Sequence, residues 1–70
     1  MSVLKVIELV GTSPNSWEEA TANAINKAAE SLRGIAGADV VGQNVAVKDG
    51  KVVEYRVDVK VAFLVEGGVG

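Results

Sequence analysis

Four ionisable side chains in alternation, Glu54, Arg56, Asp58 and Lys60, are the densest chemistry in this chain. They fall on one parity of the run Val52–Val65, V-V-E-Y-R-V-D-V-K-V-A-F-L-V, while Tyr55, Val57, Val59, Val61, Phe63 and Val65 fall on the other. Side chains alternate across a strand, so the run reads as one strand with a charged face and an apolar face. A charged row of this kind can bind a ligand, pair across a subunit interface, or simply face water, where ion pairs contribute little. An interface network is the first expectation here and a ligand contact the second.

Other chemistry is sparse. The chain has no cysteine and no histidine, which removes disulfides, thiolate metal sites and the usual general base. No serine has a plausible base partner, so the expectation is a protein that is not an enzyme. The carboxylates Glu8, Asp39, Asp49, Glu54, Asp58 and Glu66 are scattered. Calcium takes about six or more oxygens, and no segment has the acidic spacing of an EF-hand loop. A calcium site could still be assembled across a symmetry axis, where one carboxylate becomes three. Gly11 and the glycines of the C-terminal tail lack the strand–glycine loop–helix context of a phosphate site. Trp17 suits a core anchor or subunit contact, the alternative being a ring platform for a ligand.

These residues need a scaffold. Val3–Val10 reads as a first strand, followed by a turn over Gly11-Thr12-Ser13-Pro14-Asn15. Ser16 with Glu19 gives the capping-box pattern S-x-x-E. A helix is expected from about Trp17 to Arg33, with an apolar stripe of mostly small residues at Trp17, Ala20, Ala24, Ala28 and Leu32, flanked by Thr21 and Ile25, and with Gly34 as its C′ stop. Ile35–Gly37 reads as a connection and Ala38–Lys48 as a second strand, with Gly42 at a bulge. Asp49-Gly50 is a hairpin signal before the long strand. The order is β-α-β-β. A right-handed crossover makes the first two strands parallel, so the third fits between them and runs antiparallel to the second. The class is α+β, a three-stranded sheet with its third strand central and one helix over its apolar face.

Seventy residues form one domain, expected over 1–66 with a mobile tail at 67–70. So small a core supplies only a few kcal/mol. Without disulfides or thiolate metals, oligomerisation is the remaining support. Seven basic residues against nine acidic ones, well mixed, offer no patch for nucleic acid. No apolar run is long enough to span a membrane, and a cytoplasmic protein is the default expectation.

The words K-V-I-E-L-V-G-T-S-P, the D-G hairpin and the final Y-R-V-D-V-K-V-A-F together resemble the dodecins, from Lys5 to Glu66. That resemblance implies a hollow homododecamer with its helices outside, binding flavins (FMN or riboflavin) in pairs between subunits for storage rather than catalysis. By position in the family, the cofactor-binding residues fall at Gly37, Arg56 and Asp58. Gly37 stands where the family carries its flavin-stacking tryptophan, and glycine offers no π-face. Arg56 stands where it carries a glutamine, and arginine only donates, although it can stack on a flat ring or hold a phosphate. The S-W-E-x-A helix start is similar to that of an actinobacterial dodecin-like branch, one subgroup of which is associated with calcium. The expected function is therefore a dodecameric small-molecule (flavin) store with an altered site, the alternative being a structural or calcium-binding shell without flavin.

Overall fold

The computed structural model describes residues 2–65; the tail expected at 67–70 lies outside them. Four elements follow in the order β1 (Leu4–Ser13), α1 (Trp17–Ala29), β2 (Ile35–Lys48) and β3 (Lys51–Leu64). The sheet order is β1-β3-β2, and β3 is antiparallel to both neighbours. The expected central position of the long strand is what the structure shows. The hairpin between β2 and β3 turns on Asp49 and Gly50, both with positive φ (52° and 75°), the combination that matches the twist of the flanking strands.

β1 runs three residues further than expected. Gly11, Thr12 and Ser13 do not turn but stay in register with Val57, Arg56 and Tyr55. Gly11 keeps its place in the ladder because the helix lies directly on it. A Cβ there would collide with the Ala20 carbonyl and sit 2.8 Å from the Ala24 Cβ.

The N-terminus of α1 is half of the expected capping box. The Glu19 amide donates to Ser16 Oγ at 3.0 Å. The Glu19 carboxylate does not return to the cap but accepts from Ser13 Oγ at 2.7 Å and Asn15 Nδ2 at 2.9 Å. Ser13 is buried, and its Oγ also accepts from the amides of Asn15 and Ser16. One hydroxyl thus ties the end of β1 to the start of α1.

The helix ends at Ala29, four residues before Arg33. Ser31 and Leu32 both donate to the Ala28 carbonyl, which closes the last turn tightly. The chain must leave the helix early because Ile35 already pairs with Phe63, so the expected connection Ile35–Gly37 is the first part of β2. Gly34 has positive φ (71°) as expected, but at the entry to β2, where its carbonyl accepts from the Leu64 amide at 2.9 Å. Gly42 sits at a break in the β2–β3 register, between the pairs Val40–Val59 and Gly42–Asp58, a β-bulge with Val41 as the additional residue.

Ala20, Ala24 and Ala28 of α1 lie on Val57, Val59 and Val61 of β3, with Ile7, Leu9, Ile25 and Ile35 packed around them. Each fully buried valine contributes about 1.5–3 kcal/mol. The helix packs chiefly on β1 and β3 and meets β2 at the Trp17–Asn44 bond and beside Ile35. Most of β2 lies outside its footprint, which leaves Val40, Val41 and Val47 exposed. Beyond the pair Ser13–Tyr55 there is no β1, so the end of the hairpin projects as a two-stranded arm carrying exposed Val47, Val52 and Val53. The molecule is accordingly elongated, 54 × 20 × 14 Å.

Candidate functional site

The register decides what shares the face of the sheet opposite the helix. Residues directly opposite in adjacent strands lie on one face. Arg56 stands between Thr12 and Asn44, Asp58 between Val10 and Gly42, Lys60 between Glu8 and Asp39, and Ala62 between Val6 and Gly37. All of them therefore face away from α1.

The expected alternating network divides into two parts. Arg56 Nε donates to Glu54 Oε2 at 2.8 Å, a partly exposed pair. Asp58 instead has an acid as its diagonal neighbour on β1. Glu8 of β1 has its pKa raised above the ordinary 4.5, first by a hydrogen bond with Asp58, then by repulsion from that carboxylate and by desolvation, against a smaller opposing pull from Lys60. Asp58 Oδ1 is buried and has no hydrogen-bond partner among the described residues. The bulge contributes to this, since Gly42, opposite Asp58 on the β2 side, has no side chain to offer. Two carboxyl groups thus neighbour each other on the uncovered face with one oxygen unsatisfied, an arrangement that favours a hard cation. Among the described residues no group of three or more metal-ligating side chains comes together. Among the described residues, one chain thus brings only these two carboxylates to the place.

Gly37 lies at the other end of this face, in a groove of about 490 Å³ with Leu4, Val6, Asp39, Lys60 and Ala62 along its walls. A Cβ at Gly37 would meet nothing within 4 Å. Gly37 pairs with Ala62, six positions along β3 from Arg56, or roughly 20 Å at the rise of a strand. Of the three expected cofactor positions, Asp58 lies between the other two, and Gly37 and Arg56 do not meet in one subunit.

Sequence reasoning named Glu8 only as one of six scattered carboxylates, without pairing it with Asp58. Its signal was present: it is the one acid in the apolar strand V-L-K-V-I-E-L-V. Its partner depended on the β1–β3 register.

Trp17 lies elsewhere, on the helix side. Its Nε1 donates to the Asn44 carbonyl at 3.1 Å, and its ring meets Tyr55 edge-to-face at 5.2 Å and 81°. It is a clamp between the helix start and β2, still 38% exposed.

Comparison with known proteins decides the family. The family model described as Dodecin matches residues 3–66. The chain belongs to the dodecin family. Among curated dodecins, the calcium dodecin of Mycobacterium tuberculosis is 44% identical over 63 residues, covering 90% of this chain and 89% of its own. The dodecin of Streptomyces coelicolor superposes with a TM-score of 0.91 at 32% identity, covering 94% of each chain. A crystal structure of the M. tuberculosis calcium dodecin, described as a calcium-chelating antigen with a calcium-binding site, superposes with a TM-score of 0.80 at 46% identity over 89% of each chain. The β-α-β-β order and the central β3 are thus those of the dodecin fold. Among the described residues no helix is long and apolar enough to cross a membrane.

Proposed function

We propose that this dodecin is a self-assembling shell, a homododecamer, that binds a hard divalent cation such as calcium rather than a stacked flavin pair. The observation that carries the reading is the Glu8–Asp58 carboxyl pair with its buried, unpartnered Asp58 oxygen. Oxygen donors of this kind suit calcium, whose coordination needs about six or more of them. Glu8 and Asp58 would hold the ion, and symmetry-related carboxylates, backbone carbonyls or water would complete the shell. The cation would supply charge neutralisation between subunits. A relative at 44% identity is named for calcium. The small core and the exposed valines of β2 and the hairpin arm support assembly.

The test is a calcium titration of the assembled protein by calorimetry, alongside Glu8→Gln and Asp58→Asn. Saturable binding to the parent that either variant weakens supports the reading. Equal binding by all three, or none, overturns it. Size exclusion checks the shell, since a monomer or dimer would overturn the assembly.

A second reading keeps a flavin, FMN or riboflavin, as the ligand. The open groove at Gly37 favours it, because a flat ring needs room beside the backbone there. The groove supplies no aromatic face of its own, and Arg56 is already engaged by Glu54. Quenching of flavin fluorescence at about one flavin per subunit, or a yellow preparation, would favour this reading over the cation.

A further inference from the structure

The clamp at Trp17 encloses a cleft of about 390 Å³ on the side of the molecule away from the carboxyl pair. Its walls are unlike those of the Gly37 groove. Two aromatic rings, Trp17 and Tyr55, stand nearly perpendicular and form a corner. The indole is held in place by its bond to the Asn44 carbonyl. Thr21 Oγ1 donates to the Trp17 carbonyl, which fixes the helix start beneath the ring. Asn15, Ser16, Glu18 and Gln43 complete the cleft. Among the described residues Glu18 is its only charged group, and its carboxylate takes part in no salt bridge there. The neighbouring Glu19, by contrast, is committed to Ser13 and Asn15.

The ring faces left free by the edge-to-face contact attract positive charge through their quadrupoles, and a nearby carboxylate adds a full counter-charge. The charge complement of this cleft is a cation, and the bulk that an aromatic corner accommodates is that of an alkylated ammonium group rather than a metal ion. We propose that the cleft binds a small organic cation of the alkylammonium class, seated against Trp17 and Tyr55 with Glu18 as its counter-ion. The site is separate from the Glu8–Asp58 pair and does not depend on it.

Trp17 is the only tryptophan in the chain, so its fluorescence reports on this cleft alone. Choline is titrated into the assembled protein, in parallel with 3,3-dimethylbutan-1-ol, a neutral molecule of the same shape. The expected result is a saturable change in Trp17 emission with choline and none with the alcohol over the same range. Glu18→Gln is expected to weaken the response roughly threefold, as for a partly exposed charge. Glu8→Gln leaves it unchanged, which separates this site from the cation site of the shell. Equal responses to choline and the alcohol, a response that does not saturate, or no response overturn the proposal. So does a Trp17 in the assembled protein that acrylamide cannot quench, because a neighbouring subunit would then fill the corner.

Discussion

Arg56 is bound to Glu54, two residues back on the same face of β3, with Nε and Oε2 2.8 Å apart. Arg56 stands where dodecin resemblance places a flavin-reading glutamine. Its guanidinium is turned along its own strand, so a flavin would have to displace an existing ion pair. At Gly37, the other departure, added bulk meets open space.

The double substitution Gly37→Trp with Arg56→Gln is therefore expected to raise flavin affinity by about tenfold, the scale of one aromatic stacking contact. Quenching of riboflavin fluorescence measures it. The two positions are far apart in one subunit, so the gain requires assembly. An assembled double mutant that binds flavin no better would show that these positions do not form the pocket.

The Glu8–Asp58 pair predicts a pH dependence. Glu8 has a raised pKa in the fold, so the folded state holds this proton more tightly than the unfolded chain does. Its contribution to stability is fully present below the ordinary value of 4.5 and is lost as pH rises through the raised value. In calcium-free buffer, urea midpoints are expected to fall from about pH 4 towards pH 7 on this account. Glu8→Gln mimics the protonated acid and is expected to flatten that slope. An unchanged slope would remove Glu8 from the account.

Gly11→Ala is expected to destabilise the fold by about 1–3 kcal/mol or more, because its methyl group has no room beneath Ala20 and Ala24. Thermal unfolding reads the change. Gly42→Ala, at a position open to space, is the control and is expected to have a much smaller effect.

Ser13→Ala is expected to cost about 1–3 kcal/mol, since it leaves the Asn15 and Ser16 amides without their acceptor and Glu19 without one of its two donors. Denaturant unfolding measures it. Ser13→Thr keeps the hydroxyl and tests whether the hydroxyl or the space decides the outcome.

Much of the fold was legible in the sequence. The alternation from Glu54 to Val61 marked β3, Asp49-Gly50 marked the hairpin, and the four-residue spacing marked the helix stripe, of which Ala20, Ala24 and Ala28 are buried while Trp17 at its start is exposed. Each is a local period or a local turn. The misplaced boundaries have non-local causes. Gly11 looks like a turn residue by type, yet it serves close packing under a helix. Residues 30–33 are acceptable in a helix, but the pairing of Ile35 with Phe63 ends it sooner. The site was legible only in part. Asp58 stood out in its charged row, while its partner Glu8 lies fifty residues away and is brought near by strand register alone. The bulge at Val41, which sets Gly42 rather than a larger residue beside Asp58, had only the glycine to announce it.

The placement of the helix over two strands out of three has a consequence for the life of a single chain. A newly made subunit presents Val40, Val41, Val47, Val52 and Val53 to water on an edge strand and an arm that nothing in its own fold covers. Such a surface is adhesive, and the small core behind it has little stability in reserve. Stability should then depend on concentration, with the melting temperature rising as subunits find one another. Subunits left without neighbours are the ones chaperones and proteases would meet first, so completion of the proposed assembly would double as quality control.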